Sequence, residues 1–227
     1  MSNKEIRTLE LEIRVEQEED GVAYIEGYPI VFNQETVVGD RFREMIVPEA
    51  VTETLLKDIP LLEGHKFDGT PLARSRNNNA NSTMQLNIDD HGVHMRAALD
   101  IRNNPKAKEV YSAIKRGDVS GMSFAFVANK ESWDDLNTDL PLRTITGFER
   151  VYEVSVVTFP AYEGTSIQAA SEGEALESVL ASLESARKQA EEERAAAEEA
   201  ERAKAAEEAE KERRRVVLEQ LRYLIGG

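Results

Sequence analysis

The chain has 227 residues, a formal net charge of −15 and no cysteine. This length accommodates one sizeable domain and an extension. The lack of cysteine excludes disulfides, thiolate metal sites and cysteine nucleophiles, and the acidic balance argues against unspecific nucleic-acid binding. No apolar run is long enough to span a bilayer or to serve as a signal peptide, and there is no Gly-rich phosphate loop. We therefore expect no membrane association and no nucleotide or other cofactor.

Alternating apolar residues in the first part of the chain predict a strand-rich α+β domain. Residues 9–15 and 22–30 alternate and flank an acidic turn that ends at Gly21, which predicts a hairpin. Residues 48–58 are predicted to form a short helix, and helical spacing predicts another over Pro105–Arg116. Further strands are predicted near residues 59–65, 71–76, 82–88 and 92–101.

The strand around Ser123 is the most informative segment. Met122, Phe124 and Phe126 alternate on one face, and the opposite face carries small residues beside Ser123. Small neighbours would let a substrate backbone approach this hydroxyl closely, although tight sheet packing also selects small residues. The polar stretch 129–141 that follows is predicted to be a loop.

Two other segments contain groups that would activate a hydroxyl. His65 follows an apolar run and Gly64, so it is predicted to lie at the end of a buried strand, where an imidazole can act as a base. Glu153 lies within a strongly β run, and a carboxylate there is costly to bury without a partner. A serine, a histidine and a carboxylate on separate strands are the components of an activated hydroxyl nucleophile.

The composition changes near residue 171, where we divide the chain into a domain of residues 1–170 and a tail of residues 171–227. Residues 174–225 contain no Gly or Pro and are rich in Ala, Glu, Arg and Lys, which favour helix. Their apolar stripe is thin. The tail is therefore predicted to be a long charged helix. It is either solvated, or weakly coiled-coil, or a scaffold-like arm that docks through its apolar C-terminal end.

These segments, in this order, resemble the prohead (capsid maturation) serine proteases of tailed bacteriophages, the HK97 prohead protease family, whose fold is similar to that of the herpesvirus assemblin proteases. The resemblance covers residues 5–170 and implies a herpesvirus-protease-like β-barrel with flanking helices, followed here by the long charged helix. The matching elements are Gly27-Tyr28 with Val31-Phe32-Asn33, Glu63-Gly-His65, Gly121-Met-Ser-Phe124, and Glu153-Val-Ser-Val-Val-Thr158 with Pro160-Ala161.

The resemblance implies that Ser123 is the nucleophile and His65 the general base. Glu153 is the preferred third member, which would fix the tautomer of the imidazole, whereas herpesvirus-type enzymes use a second histidine in the comparable role. Asp68 and Asp118 are alternatives for the acid. Both lie next to glycine, which favours a role in turns instead.

Other polar residues have simpler interpretations. Ser120 is the nearest rival nucleophile, but its strand parity is opposite to that of Ser123. Ser155 is either a hydroxyl that supports the site or a β-compatible residue without a role. His91 and His94 are predicted to lie in a solvated turn with their rings on opposite faces, which makes them poor joint metal ligands.

The resemblance further implies a serine endopeptidase that cleaves the major capsid protein precursor and the scaffold, inside the assembling procapsid in the host cytoplasm. A homo-oligomer is a further option, because herpesvirus relatives work as dimers. Self-cleavage is expected at residues 168–171, and the backbone amides of residues 160–164 or the side chain of Arg74 are candidate oxyanion donors. The alternative is a non-catalytic assembly or scaffold protein that retains a protease-like domain and oligomerises through its acidic helix.

Overall fold

The computed structural model describes residues 4–9, 13–158 and 172–225. The strands in these ranges are β1 (Glu5–Leu9), β2 (Arg14–Glu19), β3 (Val22–Val31), β4 (Thr36–Val38), β5 (Phe42–Ile46), β6 (Pro60–Glu63), β7 (Ala73–Arg74), β8 (Met84–Ile88), β9 (Gly92–Asp100), β10 (Gly121–Asp134) and β11 (Leu142–Val157). The helices are α1 (Pro105–Arg116), α2 (Glu172–Ile225), and single 3-10 turns at Pro48–Ala50 and Arg76–Asn78. This content confirms the strand-rich α+β class.

The strands form two sheets rather than one closed barrel. The larger sheet has the order β1-β10-β11-β5-β4, with β6 paired to β11 and β7 paired to β6. The smaller sheet has the order β2-β3-β9-β8. Among the described strands, hydrogen bonding does not join the ends of these sheets into a cylinder. The barrel implied by the resemblance is therefore not found, since alternating apolar residues are equally compatible with packed sheets and with a barrel.

Some local predictions are confirmed and others are wrong. β2 and β3 form the predicted hairpin, and α1 has the predicted bounds because Asn104 caps its first amides and Gly117 ends it with φ of +80°. The helix predicted over residues 48–58 is absent. Only the turn Pro48–Ala50 is helical there, and the rest of the segment makes short hydrogen-bonded turns that bury Leu56.

The loop predicted over residues 129–141 is found only at residues 135–141, and the prediction is wrong for residues 129–134. β10 continues to Asp134 and β11 begins at Leu142, so the two strands form one long hairpin. The polar residues of this stretch are compatible with a strand because they have partners across the hairpin, as in the ion pair between Glu131 and Arg143 (2.5 Å). A single sequence shows the polarity of such residues but not their partners.

The main hydrophobic core collects apolar side chains from both sheets and from α1. Met122, Phe124 and Phe126 of β10 are all fully buried in it, as their alternation predicts. Because successive side chains of a strand point to opposite faces, Ser123 and its small neighbours lie on the other face of the sheet. The packing of the three large residues therefore fixes the direction in which Ser123 points.

A cluster of charged side chains in the same sheet is largely buried. This buried ion cluster comprises Glu5 and Arg7 of β1, Glu44 of β5, Glu131 of β10 and Arg143 of β11. The Arg7 guanidinium bonds both oxygens of Glu44 (2.6 and 2.7 Å), and Arg143 bonds both oxygens of Glu5 (2.6 and 3.0 Å). Arg143 is only 2% exposed. The cluster therefore ties β1 to the strands on which it packs.

The charges of this cluster stabilise one another. Burial alone would lower the pKa of Arg7 and raise that of Glu44. Burial is outweighed by the attraction of Glu44 and Glu5 for Arg7, and by that of Arg7 and Arg143 for Glu44. The pKa of Arg7 therefore lies above its ordinary value and the pKa of Glu44 lies below its ordinary value. Both groups are thus held in their charged forms, and each depends on the other for its compensation.

Contacts between Cα atoms divide the chain into two compact units, Met1–Leu180 and Ala181–Gly227. The first turns of α2 belong to the first unit, where Leu176 and Val179 pack in a small apolar cluster with Phe42. The domain boundary expected between residues 170 and 171 lies outside the described residues and stays a prediction.

In the second unit, α2 is a charged helix. Ion pairs link residues one turn apart, for example Glu207 and Lys211 (2.5 Å), and Val216, Val217 and Leu218 are exposed. In the part of the chain that the structure describes, no helix is both long and apolar enough to cross a membrane.

Replacing Arg143 by Met should destabilise the domain strongly. The substitution leaves buried carboxylates without a compensating charge, which typically costs about 3–5 kcal/mol. Urea unfolding followed by circular dichroism measures this cost. The matched control is Arg43→Met, because Arg43 also pairs with two carboxylates, those of Glu35 and Asp135, but at the surface. We expect a much smaller loss for the control, and equal losses in the two variants would contradict the role given to the buried ion cluster.

Candidate active site

Ser123 lies in β10 between two paired strands. Its Cα is opposite Ser155 of β11 on one side and Thr8 of β1 on the other, and the residue is fully buried. The Ser123 hydroxyl donates a hydrogen bond to the carbonyl oxygen of Arg7 (2.8 Å) and accepts one from the hydroxyl of Thr8 (3.0 Å). Both of these partners belong to β1, so this strand holds the side chain of the candidate nucleophile.

His65 lies on a sharp turn directly after β6, which runs parallel to β11 on the side opposite β10. Gly64 and His65 both have positive φ, 57° and 61°. The Gly64 N–H donates to the carbonyl of Val156 (3.0 Å), and the His65 N–H donates to Oγ of Ser155 (3.1 Å). Positive φ is unfavourable for a residue with a Cβ, and such strain is concentrated at functional sites. The turn directs His65 back onto β11.

The imidazole of His65 contacts the carboxylate of Glu153. Its Nδ1 lies 2.7 Å from Oε1, and Oε2 of the same carboxylate accepts a hydrogen bond from the hydroxyl of Ser155 (2.5 Å). Glu153 is fully buried, whereas the His65 side chain is 19% exposed. A buried carboxylate needs partners, and the imidazole and the hydroxyl supply them. Ser155 thus links the backbone of His65 to the carboxylate that contacts its ring.

This contact orients the imidazole as a base. A carboxylate at Nδ1 favours the tautomer with its hydrogen on Nδ1, which leaves the lone pair of Nε2 to accept a proton. Ser123 and Glu153 share a face of the sheet, because Ser155 lies opposite Ser123 and two residues from Glu153. The structure therefore brings His65 and Glu153 into contact and places Ser123 on the neighbouring strand. The single proton of the serine hydroxyl, however, is donated to Arg7.

The other sequence candidates make different contacts. Asp118 forms an ion pair with Arg116 (2.7 Å), and Asp68 and Ser120 are exposed. The arrangement at His65 therefore uses Glu153 and neither of the two aspartates.

The two candidates for oxyanion donors can be placed only in part. The guanidinium of Arg74 pairs with the carboxylate of Asp58 (2.7 Å). Residues 160–164 lie outside the described residues, as does the expected self-cleavage point at residues 168–171.

The expectation that His91 and His94 face opposite ways is wrong. Both rings contact the ring of Tyr28, with centroid distances of 4.6 and 5.0 Å. Strand parity does not apply to His91, because β9 begins only at Gly92. Within the described residues no group of three or more His, Asp or Glu side chains is arranged to hold a metal ion.

The sequence contains little sign that Arg7 and Thr8 lie beside Ser123. Residues 5–9 combine charged, polar and apolar side chains without strict alternation, so their pattern does not indicate a strand partner. The sequence indicates the position of Ser155 more clearly, because Ser155 shares strand parity with Glu153 and therefore lies on the same face of the strand.

Comparison with known proteins gives the family. A sequence profile described as caudovirus prohead serine protease matches residues 9–179. The chain belongs to this family. It is also similar to the prohead protease of Enterobacteria phage HK97, with 27% identity over 157 residues, which are 68% of this chain and 63% of that protein. A comparison with solved structures finds no match. The match to the HK97 protease spans less than two thirds of the length of that protein.

Replacing Ser155 by Ala should loosen the orientation of His65. The change removes both the acceptor of the His65 N–H and the donor to Glu153, so the side-chain ¹⁵N signals of His65 should move towards those of a mixture of tautomers. The cost in stability should be about 1–3 kcal/mol, because buried polar groups lose their partners.

The control is Ser75→Ala. Ser75 is also fully buried, accepts the N–H of Ile59 and donates to the carbonyl of Leu56. It should lose comparable stability while the His65 signals stay unchanged. Unchanged His65 signals in Ser155→Ala would contradict the positioning role of Ser155.

Proposed function

We propose that this chain is a serine endopeptidase that cleaves capsid-protein and scaffold precursors of a tailed phage inside the procapsid. Ser123 is the nucleophile, His65 the general base and Glu153 the residue that orients the base. The observation that carries this proposal is the contact of 2.7 Å between Nδ1 of His65 and the fully buried carboxylate of Glu153, on the face of the sheet that also contains Ser123.

The reaction follows from these groups. As Oγ of Ser123 bonds to the carbonyl carbon of the substrate, its proton moves to Nε2 of His65. The carboxylate of Glu153 stabilises the imidazolium that forms. The imidazolium then gives its proton to the leaving amine as the C–N bond breaks. A water molecule deprotonated by the same imidazole hydrolyses the ester, and the Ser123 hydroxyl is restored.

The burial of Glu153 increases the effect of its charge. An ionised carboxylate in a site of low dielectric interacts more strongly with an imidazolium than the same pair would in water. Ser155 contributes by holding the second oxygen of the carboxylate, so the first oxygen stays directed at Nδ1. Ser155 is therefore a positioning residue, which acts on the proton transfer only through Glu153 and His65.

The charged helix α2 is proposed to bring the domain to its substrates. Its side chains beyond Leu180 are largely exposed, and an apolar group, Val216, Val217 and Leu218, is exposed near its end. Such an exposed apolar group can pack against the apolar face of a helix of a partner. The proposal also includes docking to the scaffold, cleavage of the chain by itself at residues 168–171 and a homo-oligomer. These three parts come from the family resemblance.

Ser123→Ala should abolish cleavage while the fold is kept. The protein is co-expressed with the major capsid protein precursor of the same phage, and precursor masses are followed by intact mass spectrometry. Loss of a member of such a triad typically lowers the rate about 10⁴-fold or more. Ser120→Ala is the matched control, since Ser120 is a nearby serine that is exposed, and it should cleave like the unaltered protein.

Precursor trimmed equally by the unaltered protein and by Ser123→Ala would contradict the assignment of the nucleophile, and Ser120 would be tested in its place. Precursor trimmed by neither would favour the non-catalytic assembly protein.

A further inference from the structure

We propose that β1 is a blocking strand that keeps Ser123 inactive and has to leave β10 before the enzyme can work. This inference rests on the proposed function, because it assigns a regulatory contact to the same serine. It starts from the hydrogen bonds of Ser123, both of which are made to β1.

The proton of the Ser123 hydroxyl is not available to the base while β1 is in place. General-base catalysis requires that the hydroxyl donate to Nε2 of the imidazole. A serine hydroxyl has one hydrogen, and in this structure it is donated to the carbonyl of Arg7 at 2.8 Å. The hydroxyl of Thr8 donates a hydrogen bond to the oxygen of the same serine. As long as β1 is in place, the Ser123 hydroxyl makes its hydrogen bonds with a main-chain carbonyl and a threonine hydroxyl. Neither of these groups can act as the general base.

β1 occupies the edge of β10 at which an extended substrate would bind. β1 pairs antiparallel with β10 in a continuous register from Glu5 opposite Phe126 to Leu9 opposite Met122. Ser123 lies within this register, opposite Thr8, and is fully buried. An extended polypeptide substrate recognised by strand addition would use the same main-chain groups of β10. β1 and such a substrate therefore compete for one edge.

Two features determine how firmly β1 is attached to the sheet. In the described sheet order β1 is a terminal strand of five residues, and short edge strands belong to the less stable parts of a sheet. Its additional hold comes from Arg7, which bonds both oxygens of Glu44, and from Glu5, which bonds Arg143. Arg7 thus has two separate effects: its main-chain carbonyl binds Ser123, and its side chain anchors the strand.

β1 also reaches the turn that contains the base. Nζ of Lys4 lies 4.1 Å from the ring centroid of Phe67, which is 50% exposed and follows His65 by two residues. A cation–π contact of this kind is weak at an exposed site, so it can be exchanged for a contact with a substrate. Lys4, the residue that precedes β1, therefore connects the start of this strand to the turn that contains the base.

The test locks β1 onto β10 with a disulfide. Ile6 and Ala125 are directly opposite, and the chain has no cysteine of its own, so Ile6→Cys with Ala125→Cys gives a single crosslink. Cleavage of the capsid precursor is measured for the oxidised and the reduced forms. The inference predicts that the oxidised form is at least about tenfold slower than its own reduced form, because cleavage scales with the fraction of open molecules.

The control crosslink is placed away from β1. Gln85 and Arg96 are opposite on β8 and β9, and Gln85→Cys with Arg96→Cys should cleave equally fast in both redox states. Equal rates for the oxidised and reduced forms of the β1–β10 pair would overturn the inference.

A second variant decides the case in which the reduced cysteine pair is itself inactive. Arg7→Gln keeps the main-chain carbonyl and removes the anchor to Glu44. It should cleave about tenfold faster than the unaltered protein, since charge-assisted hydrogen bonds hold the closed form. Damage to the fold would lower the rate, so an increase separates the two effects. A rate that is unchanged or lower in a variant whose circular dichroism shows that it is folded would overturn the blocking role of β1.

Amide hydrogen exchange of the unaltered protein separates this inference from the proposed function. The blocking strand predicts that amides of β1 exchange by a local opening, faster than those shared by β10 and β11. Exchange of β1 only together with those amides would overturn the inference. If no form cleaves the precursor while β1 opens on its own, the proposed function fails and the displaceable strand stands.

Discussion

The candidate site depends on the position of β11 between β10 and β6. β11 pairs antiparallel with the strand of Ser123 on one edge and parallel with β6 on the other. It also contains Glu153 and Ser155. Because both neighbours are in fixed register with β11, the turn after β6 brings His65 onto Glu153, and Ser123 lies opposite Ser155. Any slip of register by one residue would turn these side chains to the other face of the sheet.

The buried ion cluster and the nucleophile are connected through β1. Buried charges are costly, and a cluster of this kind is weak evidence for stability in itself. Its role here is better understood as one of placement, because Arg7 and Glu5 find compensating charges only when β1 lies on β10 in its observed register. The same register puts the carbonyl of Arg7 against the hydroxyl of Ser123. One electrostatic arrangement therefore determines both where β1 binds and what it covers.

The sequence predicted the features that depend on local pattern. Alternation placed Ser123 on the face opposite Phe124, and helical spacing with a proline in the first turn predicted the bounds of α1. The features that it did not predict depend on distant partners. The polar residues of the long hairpin are stabilised by Arg143 and other cross-strand contacts, the two sheets do not close into a barrel, and β1 pairs with β10. Contacts such as Thr8 with Ser123, 115 residues apart, have no periodicity that a single sequence could reveal.

The central claim is that His65 and Glu153 activate the hydroxyl of Ser123. The most direct measurement is covalent labelling with a fluorophosphonate, which reacts with activated serines, followed by peptide mass spectrometry to locate the adduct. The account predicts one adduct, on Ser123, formed in the unaltered protein and lost in His65→Ala. Its rate should rise when β1 is released. An adduct on another serine, or equal labelling of Ser123 with and without His65, would contradict the account.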